Sequence, residues 1–164
     1  MNLLIDSGNS FIKWAQQTDG VLATAGRCHS HAATSLHDIW SGDDAPARVL
    51  IANVAGESIA SEISNIVKVL WHVDAEFVVS SSNCCGLTNS YHNPAKLGID
   101  RWMAMVAAFK STSGPVIVVD CGTAVTIDLV NGKGQFLGGV ILPGLNTAYH
   151  SLRAGTVAVE EINS

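Results

Sequence analysis

Residues 3–15, LLIDSGNSFIKWA, and residues 116–130, VIVVDCGTAVTIDLV, repeat one pattern. Each has an apolar run short enough for a buried strand, then an aspartate, a small residue, a glycine and a polar residue. A second strand-like segment follows. Internal repetition of this kind constrains the fold before any local signal does. Two hairpins opening with strand-Asp-x-Gly-(Asn/Thr) suggest two related lobes facing each other across a cleft.

The remaining segments fall between and after these hairpins. Residues 2–5, 11–15 and a segment beginning at 20–22 read as three strands, with Asp19-Gly20 as a hairpin turn. Residues 32–40 read as a helix and 48–54 as a strand. Apolar positions 59, 60, 63, 66 and 67 give 57–69 helical periodicity. A short strand covers 76–79. The polar stretch 80–98, SSSNCCGLTNSYHNPAKLG, is long for a loop inside a compact domain, and such loops tend to be functional. Residues 99–110 read as a helix. Ser111-Thr112-Ser113-Gly114-Pro115 marks a linker or tight turn. Strands follow at 116–119, 125–130 and 136–142, with Asn131-Gly132 as a hairpin signal, Pro143-Gly144 as a terminator and a helix over 145–152. The chain therefore divides into a lobe at 1–112 and a second at 113–164.

Composition narrows the function. Of 164 residues, 48% are apolar and 14% charged, enough apolar surface for a packed core and too little charge for disorder. The formal net charge of −5 and the lack of a basic patch disfavour nucleic acid. No apolar run approaches the ~18 residues of a membrane span. The opening apolar run is short and interrupted by Asp6, unlike a secretory leader, so a cytoplasmic location is expected. The four cysteines, Cys28, Cys84, Cys85 and Cys121, have no Cys-x-x-Cys spacing, which argues against zinc. Cys84-Cys85 reads as a reduced pair in a loop. His29 and His31, in CHSHAATSLHD, read as part of a solvated loop rather than metal ligands.

Glycine permits close backbone approach, and N–H groups in such turns can converge on an anion. Asn9, Ser10, Thr123 and Thr126 add side-chain donors. A carboxylate beside a phosphate site is unfavourable unless a divalent cation intervenes. Mg²⁺, which takes one or two carboxylates along with waters and phosphate oxygens, reconciles Asp6 or Asp120 with a nucleotide. The alternative is a pair of ordinary hairpin turns, where Asp, Gly and Asn are common anyway. Phosphoryl transfer also needs a group to orient the acceptor hydroxyl. Asp100, after the long polar loop and opening a helix, is the candidate; its other reading is a helix-terminus carboxylate. Arg101 is either a surface ion-pair residue or a carboxylate or phosphate partner. Tyr91 is a loop anchor or a substrate contact, and Lys13 a solvated strand residue or a phosphate partner. Gly138-Gly139 and Pro143-Gly144 are turn punctuation or places of close backbone approach.

Taken together, IDSGNSFIKW (5–14), NSYHNPAKLGIDRW (89–102), VDCGTAVTIDLV (119–130) and GGVILPG (138–144) resemble the type III pantothenate kinase family, which includes the Bvg accessory factor proteins. The resemblance implies an α/β, actin-like ATPase fold of ribonuclease H-like lobes, a complete N-terminal lobe followed by the first part of a second. It implies ATP-dependent phosphorylation of pantothenate, the first step of coenzyme A biosynthesis. Carried over by motif, Asp6 would serve the Mg²⁺–phosphate site, and Gly8, Asn9 and Ser10 would hold phosphate with Lys13 nearby. Asp100 would be the general base, and Tyr91, Gly98, Ile99 and Arg101 would line the pantothenate pocket. Asp120 would help bind a monovalent cation, potassium or ammonium, and Gly122, Thr123 and Thr126 would touch nucleotide phosphates. Family members are homodimers. They are also longer than this chain, so weak or no turnover is expected of the 164 residues alone. Another actin-like sugar or acid kinase and a non-catalytic accessory protein are the competing functions; the 89–102 block argues against the first, while intact Asp6, Asp100 and Asp120 argue against the second and the short length for it.

Overall fold

The computed structural model describes residues 1–112 and 114–155. Ser113 of the expected linker and residues 156–164 of the expected second lobe lie outside the described residues. The chain forms two compact units, Met1–Ser80 with Ala95–Trp102, and Ser81–Pro94 with Met103–Ser164. These units are drawn differently from a division at 112/113, because the 81–94 segment and most of the helix after it group with the later strands.

The first unit is built on a sheet in the order β3-β2-β1-β4-β5. Its strands are β1 (Asn2–Ser7), β2 (Phe11–Thr18), β3 (Val21–His29), β4 (Arg48–Asn53) and β5 (Ala75–Phe77). β1 to β3 pair antiparallel, while β4 and β5 run parallel to β1 and to each other. The Asp19-Gly20 turn joins β2 to β3 with both residues at positive φ, 51° and 81°. That is the twist-matched geometry of a two-residue hairpin. Parallel neighbours require crossovers, and two helices, α1 (Leu36–Trp40) and α2 (Glu57–Trp71), supply them. Alternate residues Leu3 and Ile5 of β1, with Val49 and Ile51 of β4, point into one core with Leu36, Trp40, Ile63, Ile66 and Val67.

Several boundaries differ from the sequence reading for local reasons. The expected helix over 32–40 is split into a 3₁₀ segment, Ser30–Ser35, and α1. Ala32 leaves helical φ/ψ, and the Ser35 hydroxyl donates back to the Ala32 carbonyl, an alternative to regular helix bonding. Cys28 and His29 belong to β3 rather than to a solvated loop. The His29 and His31 rings stack at 5.1 Å, and the described residues hold no group of three metal-ligating side chains. The strand expected at 76–79 is β5 at Ala75–Phe77, although Val78 N–H still donates to Ile51.

The second unit centres on a sheet in the order β10-β9-β8, made of β8 (Val116–Cys121), β9 (Ala124–Val130) and β10 (Phe136–Pro143). It is antiparallel throughout, as β1 to β3 are. The long polar stretch is not structureless. It contains a small hairpin of β6 (Asn83–Cys84) and β7 (Leu87–Thr88). Helix α3 (Ile99–Lys110) has the expected bounds, its first turn in the first unit and the rest in the second. Helix α4 (Leu145–Gly155) starts directly after Pro143-Gly144.

Candidate functional site

The two Asp-x-Gly turns resemble each other more closely in space than in sequence. Asp6 does not end its strand, because β1 continues through Ser7. Asp120 likewise sits inside β8, one residue before Cys121. The antiparallel ladder puts Asp6 opposite Lys13 and Asp120 opposite Thr126. Lys13 and Thr126 therefore hold equivalent cross-strand positions, each facing the aspartate of its hairpin. A linear alignment hides this, because the first turn has one more residue between its paired ends than the second. Ser7 pairs with Ile12, whereas Cys121 pairs with Val125.

In the first turn, Lys13 Nζ lies 3.2 Å from Asp6 Oδ2, with both side chains about half exposed. This is a surface-type pair whose net stabilisation is small. Its ammonium and carboxylate remain reachable by a ligand. The Gly8 N–H donates to the Phe11 carbonyl at 3.0 Å, and the Gly122 N–H to the Ala124 carbonyl at 2.9 Å. Both glycine amides are thus directed inside their turns rather than outward as a nest. The Ser30 hydroxyl donates to the Gly8 carbonyl at 2.6 Å and ties the turn to the 3₁₀ segment. The residue between Asp and Gly differs in the two copies: Ser7 is fully buried and Cys121 exposed.

The second turn is braced from α4. Gly144 N–H and Thr147 Oγ1–H both donate to the Thr123 carbonyl, at 2.9 Å each. A Cβ on Gly144 would run into the backbone carbonyls of Gly122 and Thr123. Pro143-Gly144 is therefore a place of close backbone approach, and what approaches it is the Gly122–Thr123 turn.

Gly98 and the first turn of α3 form a third constellation, within the first unit. Asp100 Oδ1 accepts the Arg101 N–H at 2.8 Å. The Trp102 N–H donates to the Gly98 carbonyl at 3.0 Å. A Cβ built on Gly98 would stand 2.6 Å from Asp100 Oδ1, so the carboxylate lies in space that only glycine leaves open. Ile99 is 7% exposed and Trp102 fully buried, which pins this turn. Arg101 is 8% exposed, which removes its reading as a surface residue. It makes a polar interaction inside the protein, as a buried arginine must.

In the second unit Tyr91 is 38% exposed and stacks on Phe136, with ring centroids 6.0 Å apart. The Ser90 hydroxyl donates to the Phe136 carbonyl. Asn89, which the sequence reading passed over, organises this loop. Its Oδ1 accepts the Tyr91 N–H at 3.0 Å, and its Nδ2 donates to the Ser81 and Pro94 carbonyls, both at 3.3 Å. The available signal was an Asn two residues before Tyr91 in a proline-containing loop, the pattern of an Asx turn. Asp128, 1% exposed on β9, was also passed over, because it sits in a strand that otherwise reads as apolar.

The site residues thus fall into groups, each with its own local frame. Asp6, Gly8, Asn9, Ser10 and Lys13 share the β1–β2 hairpin, and Gly98, Ile99, Asp100 and Arg101 the start of α3. Asp120, Gly122, Thr123 and Thr126 share the β8–β9 hairpin, while Tyr91 belongs to the loop after β7. No helix among the described residues is long and apolar enough to cross a membrane.

The sequence pattern of the family described as type III pantothenate kinase matches residues 2–164. A type III pantothenate kinase of Polaromonas sp. is 40% identical over 96% of this chain and 65% of its own length. One from Nitrosomonas eutropha is 39% identical over 95% of this chain and 62% of its own. The chain thus spans just under two thirds of the length of these relatives. Among solved structures, a conserved Baf family protein from Campylobacter jejuni superposes with a TM-score of 0.57 at 22% identity, covering 97% of this chain and 63% of that one. The fold is the expected α/β, actin-like ATPase fold.

Proposed function

We propose, starting from the fact that this chain belongs to the type III pantothenate kinase family, that it carries out ATP-dependent phosphorylation of pantothenate, the first step of coenzyme A biosynthesis. The observation that carries this reading is the Gly98–Asp100 geometry. A carboxylate is held at the start of a helix by one backbone N–H, over a glycine, leaving its second oxygen for an acceptor hydroxyl. A side-chain carboxylate is a weak base for an alcohol. Asp100 therefore acts by orienting the pantothenate hydroxyl and taking its proton late, as phosphoryl transfer requires. Ile99, Arg101 and Tyr91 line the pantothenate pocket in this reading, with Arg101 the partner for a carboxylate.

The nucleotide side rests on the two hairpins. Mg²⁺ binds through one or two carboxylates and arrives with phosphates. Asp6 is the carboxylate for it, and Lys13 the cation beside it. With the glycine amides turned inward, Asn9, Ser10 and Thr123 supply the phosphate contacts, and Gly8 and Gly122 make the turns tight enough to present them. Thr126, facing Asp120 across the second hairpin, is a further phosphate contact. Asp120 contributes to a monovalent-cation site for potassium or ammonium. A cytoplasmic homodimer is the assembly this reading expects.

The test is pantothenate-dependent ADP release by the protein and by Asp100→Asn. Loss of the positioned carboxylate is expected to lower turnover by about 10²–10⁴-fold, with ATP-analogue affinity by calorimetry unchanged. Turnover retained in Asp100→Asn overturns the assignment of the base. The 164 residues alone are expected to turn over weakly, so absence of pantothenate binding by the unsubstituted chain overturns the reaction.

A further inference from the structure

Cys84 and Cys85 take no part in the proposed reaction, yet the fold sets them as a pair. They open the two-residue turn between β6 and β7, where Cys84 pairs with Leu87 across the ladder. Cys85 and Gly86 form the turn itself at φ 52° and 88°, the positive values a twist-matched hairpin requires. The hairpin is anchored on both strands. Thr88 Oγ1 donates to Asn83 Oδ1 at 2.9 Å, Thr88 N–H donates to the Gly134 carbonyl at 2.7 Å, and Leu87 is 1% exposed. In this frame the two sulfurs lie 3.6 Å apart, with Cys85 exposed and Cys84 partly so.

That separation selects the chemistry. Neighbouring Cα atoms are only ~3.8 Å apart, short of the spacing an unstrained disulfide needs. A single bridging atom fits better: two sulfur bonds of about 2.3 Å spanning 3.6 Å meet at about 100°. Zinc would need two more ligands, and the described residues hold no group of three. A monosubstituted trivalent arsenical needs only the two sulfurs. The thiol state also suits it. Sharing a hydrogen bond with Cys85, with burial adding to it, holds the Cys84 thiol above its ordinary pKa.

We propose that the Cys84–Cys85 hairpin is a preorganised dithiol site that chelates monosubstituted trivalent arsenicals. The step is a condensation without redox change. Two S–As bonds form, the As–O bonds of the oxide break, and both thiol protons leave with the oxygen as one water. Chelation by two sulfurs on one rigid turn gains about 10²–10⁴-fold over capture by one thiol. Cys28 on β3 and Cys121 on β8 are the single-thiol controls.

The probe is phenylarsine oxide, added at one equivalent to the reduced chain and followed by native mass spectrometry. The expected result is one phenylarsenic adduct that survives excess glutathione and is stripped by 2,3-dimercaptopropanol. It is expected to persist in Cys28→Ser/Cys121→Ser, and its apparent affinity to fall about 10²–10⁴-fold in Cys84→Ser and in Cys85→Ser. A glutathione-resistant adduct retained in either of those two variants overturns the proposal, as does its absence from the unsubstituted chain. Backbone amide spectra of both variants, unchanged outside residues near the hairpin, separate loss of chelation from loss of fold.

Discussion

Gly98 shows how much a single missing side chain decides. An added methyl would stand 2.6 Å from Asp100 Oδ1. The aspartate side chain is short, so it can relieve the clash only by moving its carboxylate. Gly98→Ala is therefore expected to lower pantothenate phosphorylation by about 10²-fold, the loss typical of an ångström-scale misplacement. The thermal midpoint should stay close to that of the unsubstituted chain, since buried Trp102 and Ile99 still pin the turn. Full kcat/KM in Gly98→Ala would separate the glycine from the positioning of Asp100. Sequence alone reached Gly98 and Asp100 as members of one motif, but not the contact between them, which depends on a rotamer set by the helix start.

At the level of elements, the hairpins owe their similarity to register rather than to residue count. The aspartates and their cross-strand partners, Lys13 and Thr126, coincide although the turns differ in length. The edge of the first sheet carries a different charge device. Arg48 on β4 holds Glu76 on β5 in a bidentate pair, Nε to Oε1 at 2.8 Å and Nη2 to Oε2 at 2.7 Å. Hydrogen bonding by Arg48 draws the Glu76 carboxyl below its ordinary pKa; desolvation opposes it, and the Arg48 charge adds a lesser lowering. A carboxyl whose pKa is lower in the folded state adds stability above its unfolded pKa, and this is lost as pH falls through the folded value. Glu76→Gln is thus expected to be less stable than the parent near neutral pH, with the gap closing well below the ordinary glutamate pKa of ~4.3. Both side chains are about half exposed, so the effect is small. Urea midpoints at the two pH values check it, and a gap that widens in acid contradicts it.

Across the whole molecule, burial is unevenly shared. The first unit encloses one core of eleven buried residues, from Leu3 and Ile5 to Ile66 and Val67, and it continues under α2. In the β8–β10 sheet only Val130, Phe136 and Asp128 are buried, while Ile117, Val119, Leu137, Val140 and Ile141 are each at least half exposed. Among the described residues β8 has β9 as its one ladder partner, whereas β1 lies between β2 and β4. Local opening is easier where few apolar contacts hold a strand. Amide hydrogen exchange is expected to be slowest in β1 and β4 and faster by orders of magnitude in β8 and β10. Equal protection in the two sheets would refute this reading of the burial pattern.

Legible in the sequence were the duplicated Asp-x-Gly hairpins, helices at 57–69 and 99–110, and the family resemblance. Strand alternation, turn chemistry and helical periodicity are local properties that a linear chain carries openly. It left undecided whether Arg101 was a surface or a buried residue, whether Pro143-Gly144 met a ligand or the backbone, and whether the 80–98 stretch was structureless. Those outcomes belonged to the tertiary structure. Burial, cross-strand register and the approach of one turn to another are distances between residues far apart in the chain, and no local spacing encodes them. The adjacent thiols at 84 and 85 are the intermediate case. Their adjacency is plain in the sequence, but only the turn conformation brings the sulfurs to 3.6 Å.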